Sequence, residues 1–529
     1  MTTRVRFAPS PTGNVHIGNI RAAIFNWLFA RHNDGAFLLR VEDTDLERCT
    51  PDAIANLLDC MRWLGLDHDE EPLYQTSQRD RHLAAADKLL ADGAAYKSAK
   101  GGKGEAIVFR IPWDAGSVPG VRTTGAVELN VHPDQPVQID AAGINYAMVS
   151  KKGKPVPQAA CLAGFRDLEI LDADGNVLFT LNDKIEGLLE GGQTYEVDKA
   201  VTFKFTRREV AFTDLIRGEL VKPLDSMKDQ VIVRSDGSPV FHLANVCDDA
   251  TQGVTHIIRG DDHVENTYRH LFLFRALGET PPQYAHLPMI VNEQGKPYSK
   301  RDGAAFVGEF KERGFLPDAL LNYLALLGWS PGDDREKLSR DELVELFSLD
   351  RVQKAPAQMD LRKLENLNGR YIAEMPFPDF LILCRNYAKR YDWNEQADAE
   401  QFAEVASLMQ TRTKRLENLE TWVHFFQDLP EYDEKACRKF LTKPGIGDAL
   451  VMLREKLANA EFTAAALETE VNKVTEIVGL KQGKLNQPLR IALTGVTIGA
   501  GIYETMEVLG RDTILKRLDY ARETYCTAE

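Results

Sequence analysis

The chain has 529 residues, 44% of them hydrophobic and 27% charged, an ordinary globular balance at a length that calls for three or more domains rather than one core. It contains no run of about 18 apolar residues, and Met-Thr-Thr-Arg-Val-Arg leads into a strand rather than a signal peptide, which argues against a membrane span and against secretion. A net charge of −15 counts against a broadly basic nucleic-acid binder but leaves room for a local cationic surface.

Residues 4–8 read as a short buried strand, and Pro9 to Asn14 as a turn rich in Pro, Ser, Thr and Gly. Asn14 or Asn19 is placed to cap the following helix, in which Ile20, Ile24, Trp27 and Leu28 recur at helical spacing. Asn33-Asp34-Gly35 ends that helix, and Phe37 to Val41 forms a second apolar strand running into Glu42-Asp43-Thr44-Asp45. Strand, turn, helix and strand at this length make a βαβ unit and a parallel sheet, whose ligands bind beyond the carboxyl ends of the strands. From about Lys97 to Phe205, Gly, Val and alternating apolar residues dominate. Asp172 to Asn176 marks a hairpin between Leu168–Leu171 and Val177–Leu181, and Lys151 to Pro155 marks another turn. The α/β pattern then resumes. Strands are expected at Gln230 to Arg234, Val240 to Val246, Val254 to Arg259 and Tyr284 to Val291, and a helix at Asp262 to Leu277 that stops at Gly278. After about Phe315 the pattern is amphipathic helix, broken near Pro376 and Pro444.

The expected fold is therefore multidomain. A Rossmann-like α/β domain in two halves, 1–96 and 209–311, is interrupted by a β-rich insertion, 97–208. A connecting module, 312–372, and two helical subdomains, 373–443 and 444–529, follow.

Two segments carry chemistry. The first is Arg6-Phe-Ala-Pro-Ser10-Pro-Thr-Gly13-Asn-Val-His16-Ile-Gly18-Asn19, a strand, a Gly-rich turn and a His at a helix start. Glycines let the backbone approach an anion, and a His at the helix N-terminus can donate to a phosphate oxygen as charge grows there. The second is Gly295-Lys-Pro-Tyr-Ser299-Lys300-Arg301-Asp-Gly303, two cations and a hydroxyl between glycines, able to close on a phosphate and reopen. Together they suit a triphosphate held from two sides. Arg6, Glu42 and Arg259 fall at strand ends, where an Arg can clamp a carboxylate and an acidic side chain can hold an ammonium group; a structural ion-pair network is the alternative. Lys199 to Arg208 and Arg412 to Arg415 read equally as solvated faces or as phosphate contacts.

The two segments resemble the paired HIGH and KMSKS signatures of class I aminoacyl-tRNA synthetases. RFAPSPTGNVHIGN, FLLRVEDTD, SDGSPVFHLANVCDD, VTHIIRGDDH, GKPYSKRDG and KLNQPLRIALTG resemble glutamyl-tRNA synthetases in particular. The resemblance implies a class I catalytic domain and a helical anticodon-binding region. It implies L-glutamate and ATP with Mg2+ as reactants, a glutamate tRNA or also a glutamine tRNA as partner, and a cytoplasmic monomer. His16 and Lys300 become the catalytic candidates. Ser10, His16, Gly18, Asp262, Ser299 and Lys300 fall to ATP, and Arg6, Ser10, Glu42, Phe241, Asn245 and Arg259 to glutamate. Thr44 and Asp45 fall near the tRNA acceptor end, and Arg412, Lys414 and Arg490 are basic candidates for the anticodon arm. A relaxed or glutaminyl enzyme, a small-molecule nucleotidyltransferase and a non-catalytic tRNA binder stay open.

The chain departs from the family pattern at Asn19, at Pro297 and Tyr298, at Phe241 where a Tyr is usual, and after Tyr96, where many relatives carry a Cys-bearing zinc element. The seven Cys form no CxxC pair and none lies between Cys60 and Cys161, so neither a disulfide framework nor a structural zinc is expected.

Overall fold

The computed structural model describes residues 2–44, 48–99, 104–114, 116 and 118–526. The chain divides into two compact units, residues 1–308 with 324–359, and residues 309–323 with 360–529.

The first unit opens with β1 (Arg4–Phe7), α1 (Ile17–His32) and β2 (Ala36–Val41), with β1 and β2 parallel and in register from Arg4 opposite Ala36 to Phe7 opposite Leu39. The short strand β3 (Leu73–Tyr74) extends this sheet beyond β2. On the other side of β1, Thr255 N–H donates to the Arg4 carbonyl at 2.9 Å, and Arg4 N–H donates to Thr255 Oγ1 at 2.8 Å. The strand His256–Gly260 therefore starts beside β1. It pairs in parallel with Gln283–Leu287, which meets the end of the long strand Thr202–Asp214 where Asp214 lies opposite Tyr284. Ile20, Ile24, Trp27 and Leu28 of α1 are buried, as the helical spacing requires.

Two local expectations change. α1 is capped by His16, not by Asn14 or Asn19: the His16 ring accepts from Gly18 N–H at 3.0 Å. The apolar alternation at 240–246 belongs to a helix, Phe241–Thr251, rather than to a strand. Its buried face carries Leu243, Ala244, Asn245 and Val246 and then Asp248 and Asp249, two acids that look like surface residues in the sequence and are counter-ions for buried arginines in the fold.

Between the halves of the parallel sheet in sequence, and beyond its strand Gln283–Leu287 in space, lies a β-rich region. The strand Thr202–Asp214 pairs antiparallel with Val121–Asn130, Phe165–Leu171 and Gly218–Pro223. A four-stranded sheet built from 137–140, 143–149, 155–160 and 195–197 stands beside it. This region has its own core, in which Phe165 meets Tyr146, Phe203 and Phe205 at ring-centroid distances of 6.0, 6.0 and 4.9 Å.

The second unit is helical from Leu361–Glu374 to Arg511–Tyr525, and one hydrophobic core runs from Ile372 to Ala521 across both proline breaks. Its aromatic centre stacks Trp393 on Phe426 at 4.8 Å, beside Phe402 and the fully buried Trp422. Removing the largest of these side chains leaves a void that a close-packed core fills only in part. Trp422→Ala is expected to cost about 3–5 kcal/mol, measured as a lower denaturant midpoint of the helical unit's unfolding transition.

Candidate active site

The chain leaves β1 towards β2 on one side, while the strand His256–Gly260 lies on the other. The carboxyl ends of these strands thus open at a point where strand order reverses, the place where open α/β sheets bind ligands. A cleft of about 690 Å³ lies there. Arg6, Ser10, His16, Gly18, Glu42, Thr44, Phe241, Asn245, Arg259 and Asp262 all line it, drawn from segments more than two hundred residues apart.

Its floor is a network of buried charges. Asp249 Oδ1 accepts from Arg6 Nε at 2.9 Å and from Arg40 Nη1 at 2.5 Å. Arg40 Nη2 also donates to Glu42 Oε1 at 3.3 Å, and the same oxygen accepts from Asn245 Nδ2 at 2.8 Å. Burial works against the Asp249 charge, but Arg40 and Arg6 outweigh it and hold the carboxyl below its usual range. Burial pushes the Glu42 carboxyl up, opposed by Arg40 and Arg6. Arg259, 7% exposed, is lowered by burial to about 10 and stays a cation near neutrality. The histidines beside it are driven neutral: burial first, then neighbouring cations, lowers His263 and brings His242 to about 4.

The other rim of the cleft is built from His16 and the turn after Gly260. Because His16 Nδ1 accepts from Gly18 N–H, the neutral ring carries its proton on Nε2. The ring packs edge-on against Phe306 at 5.9 Å. A Cβ on Gly18 would come within 3.2 Å of His16 Nδ1, and one on Gly260 within 2.4 Å of Asp262 Oδ1, so both glycines leave room for side chains that fold back on the backbone at the rim.

Other candidates lie elsewhere. Pro297 and Tyr298 of the second loop line the cleft, whereas Ser299, Lys300 and Arg301 do not; Lys300 and Arg301 are exposed. Asp302 organises that loop, accepting from Asn292 Nδ2 at 2.8 Å and from Ser299 N–H at 2.9 Å. Arg412 and Lys414 belong to the helical unit, where Arg412 is exposed and Lys414 Nζ donates to Asn366 Oδ1 at 2.7 Å. Burial lowers the nearby Arg490, and the charge of Arg412 adds to the effect. Asp45 lies outside the described residues.

Comparison with known proteins fixes the family. A profile described as tRNA synthetases class I (E and Q), catalytic domain, matches residues 2–103 and 185–366. A second, described as an anticodon binding domain, matches 379–522. A glutamate–tRNA ligase of Stenotrophomonas maltophilia is 36% identical over 530 residues, with all of both chains covered. One from Caldanaerobacter subterraneus is 34% identical over 523 residues, covering 98% of this chain and 97% of the relative. The chain belongs to the glutamate–tRNA ligase family of class I synthetases. A crystal structure of a glutamate tRNA ligase from Elizabethkingia meningosepticum, in complex with its amino acid, shares the fold at a TM-score of 0.71 and 26% identity, covering 99% of this chain and all of that one. Membership of a class I synthetase family implies the use of ATP. Among the described residues, no helix is long and apolar enough to cross a membrane. The catalytic profile omits residues 104–184, which lie within the β-rich region.

Several residues of this class I site were not singled out in the sequence. Arg21 is buried in α1, lines the cleft, and donates to the carbonyls of Leu327, at 3.1 Å, and Pro288. Arg40 and Asp249 form the floor. A charged residue inside the apolar run Phe37 to Val41 was the available signal for Arg40, since such a residue has to find a buried partner. Removing Asp249 leaves two buried cations without their shared anion. Asp249→Ala is expected to cost about 3–5 kcal/mol in urea unfolding. The depressed carboxyl contributes stability above the unfolded value of about 4 and loses it as pH falls through the lower folded value, so Asp249→Asn should flatten the loss of stability below about pH 4.

Proposed function

We propose that the chain activates L-glutamate with ATP to glutamyl-adenylate and transfers the glutamyl group to the 3′-terminal adenosine of a glutamate tRNA. The observation that carries this reading is the pairing, in one cleft, of a constrained cation, Arg259, with a buried anion, Glu42, beside the His16 and Gly18 turn. Arg259 and Arg6 suit the side-chain carboxylate of glutamate. Glu42 and Asn245 suit its ammonium group. Phe241 supplies an apolar wall, and Ser10 borders both substrates.

In the first step an oxygen of the α-carboxylate attacks the α-phosphorus of ATP, the bond to the bridging oxygen of the β-phosphate breaks, and pyrophosphate leaves. His16, donating through Nε2, and the helix N-terminus behind it stabilise the phosphate charge that builds up. Ser299 and Lys300 reach the leaving group when their loop closes, and Asp262 serves the nucleotide from the opposite rim. Mg2+ accompanies ATP and offsets phosphate charge. In the second step the terminal ribose hydroxyl attacks the adenylate carbonyl and AMP leaves. The chain itself mainly positions the reactants and excludes water.

Thr44 and Asp45 are assigned to the acceptor end of the tRNA, and Arg412 and Lys414 to its anticodon arm. The domain boundaries are those of the sequence reading, with 97–208 over the acceptor. The reading gives a cytoplasmic monomer without structural zinc, because no Cys lies between Cys60 and Cys161.

Aminoacylation of separated glutamate and glutamine tRNAs with labelled glutamate and with labelled glutamine tests the proposal. Charging of the glutamate tRNA with glutamate is expected. Glutamate on both tRNAs would mark a relaxed enzyme, glutamine charging would overturn the substrate, and no charging of either would overturn catalysis. Lys300→Ala should lower tRNA-dependent pyrophosphate exchange by about 100-fold or more with an unchanged unfolding midpoint, since the side chain is exposed. His16→Ala should lower exchange by a similar factor of about 100 and also weaken the start of α1, where it is the cap.

A further inference from the structure

Behind Arg259 runs a buried chain of hydrogen bonds that these assignments do not use. Asp214, 1% exposed, ends the strand Thr202–Asp214. Its Oδ1 accepts from Ile216 N–H at 2.9 Å and Arg217 N–H at 2.8 Å. Its Oδ2 accepts from His286 N–H at 3.0 Å and lies 2.6 Å from His286 Nδ1. Burial works to raise this carboxyl, but the hydrogen bonds from His286 and the backbone outweigh it and keep it ionised. An ionised carboxylate only accepts, so Nδ1 carries the imidazole proton and Nε2 its lone pair.

That lone pair faces Arg259 Nε at 3.3 Å and Thr267 Oγ1 at 3.1 Å. Thr267 Oγ1 in turn accepts from Arg259 Nη2 at 2.7 Å, and the same nitrogen reaches the His263 carbonyl at 3.3 Å. The His286 ring is fully buried, stacked on Tyr284 with 4° between planes, and Phe212 meets its edge at 6.2 Å. Arg259 lies over the Tyr284 ring at 5.6 Å. Nε and Nη2 are thus committed to protein acceptors. Nη1 has no hydrogen-bond partner among the described residues, and it is the arm left for a ligand in the cleft. The acceptors on Arg259 are all neutral: Asp214 stands a whole imidazole away, and Asp249 and Glu42 act on the guanidinium only through space, without a hydrogen bond to it. The guanidinium is therefore held in place while its charge stays available.

Resting on the glutamate reading above, we propose that Asp214 and His286 are positioning residues for selectivity. By fixing the tautomer that accepts from Arg259, they turn Nη1 to the cleft and present only N–H donors there, which suits a side-chain carboxylate and opposes a carboxamide. Asp214→Asn is the sharpest test. An amide can donate to Nδ1, which transfers the ring proton to Nε2 and sets it against Arg259 Nε–H, donor to donor. KM for glutamate should rise about tenfold or more and the glutamine-to-glutamate ratio of kcat/KM should increase, while KM for ATP and for tRNA stay within about twofold. Thr267→Val, nearly isosteric, should shift glutamate KM in the same direction, and Thr267→Ser should restore it.

Equal rises in all three KM values would mean a merely structural role and overturn the proposal. So would an unchanged glutamate KM in Asp214→Asn protein that unfolds at the wild-type temperature. If Asp214→Asn does not fold, the Thr267→Val and Thr267→Ser pair decides. Wild-type protein that charges glutamine instead of glutamate would refute the substrate reading; variants that leave a working glutamate enzyme's KM untouched would refute only the positioning pair.

Discussion

The carboxylate of Asp249 takes hydrogen bonds from Arg6 on β1 and Arg40 on β2, and this shared, buried contact sets the geometry of the whole cleft. Two arginines on adjacent parallel strands would repel each other and would each lose their hydration on burial, a cost of several kcal/mol per ion. One anion placed against both offsets that cost, and it does so only if the helix Phe241–Thr251 lies across the two strands at one height. Phe241, Asn245 and Asp249 are four residues apart and share a face. Locking Asp249 into the floor therefore delivers the amide of Asn245 to Glu42 and the ring of Phe241 to the wall. The lining of the cleft is thus assembled around a buried ion pair that belongs to the fold itself.

What could be read in the sequence was whatever is encoded over short distances. The turn before α1 announced itself by its glycines and prolines, and Glu42 by following an apolar strand. The helix at 264–277 was marked by its terminal Gly278, which adopts the left-handed conformation with φ of 85°. The helix at 241–251 was missed because alternation of apolar residues over six or seven positions fits either period, and the deciding feature is tertiary: Asp248 and Asp249 are satisfied by Gln75, His82, Arg6 and Arg40, all far away in the chain. His16 was singled out for its possible ligand, yet half of its work is local, since its Nδ1 closes the helix start. The Asp214 and His286 pair lay beyond reach for the same reason. The two residues are separated by 72 positions, and only strand pairing brings them together.

The β-rich region illustrates a different limit. Its texture of alternating residues and turn signals was plain, and its strands follow. Their partners were not, because register between distant strands depends on which faces find a common core. Here Phe165 and its aromatic neighbours supply that core, and the strand Thr202–Asp214 carries it into the catalytic sheet.

That strand bears on how such a protein can change over time. Its far end pairs with strands from residues 104–184, which the catalytic family profile leaves out, and its near end carries the carboxylate behind Arg259. Asp214 is pinned by four N–H groups from the turn after it and from His286, not by the strand before it. A change of loop or hairpin at the outer edge of the β-rich region therefore leaves all four of these contacts, and with them the support behind Arg259, in place.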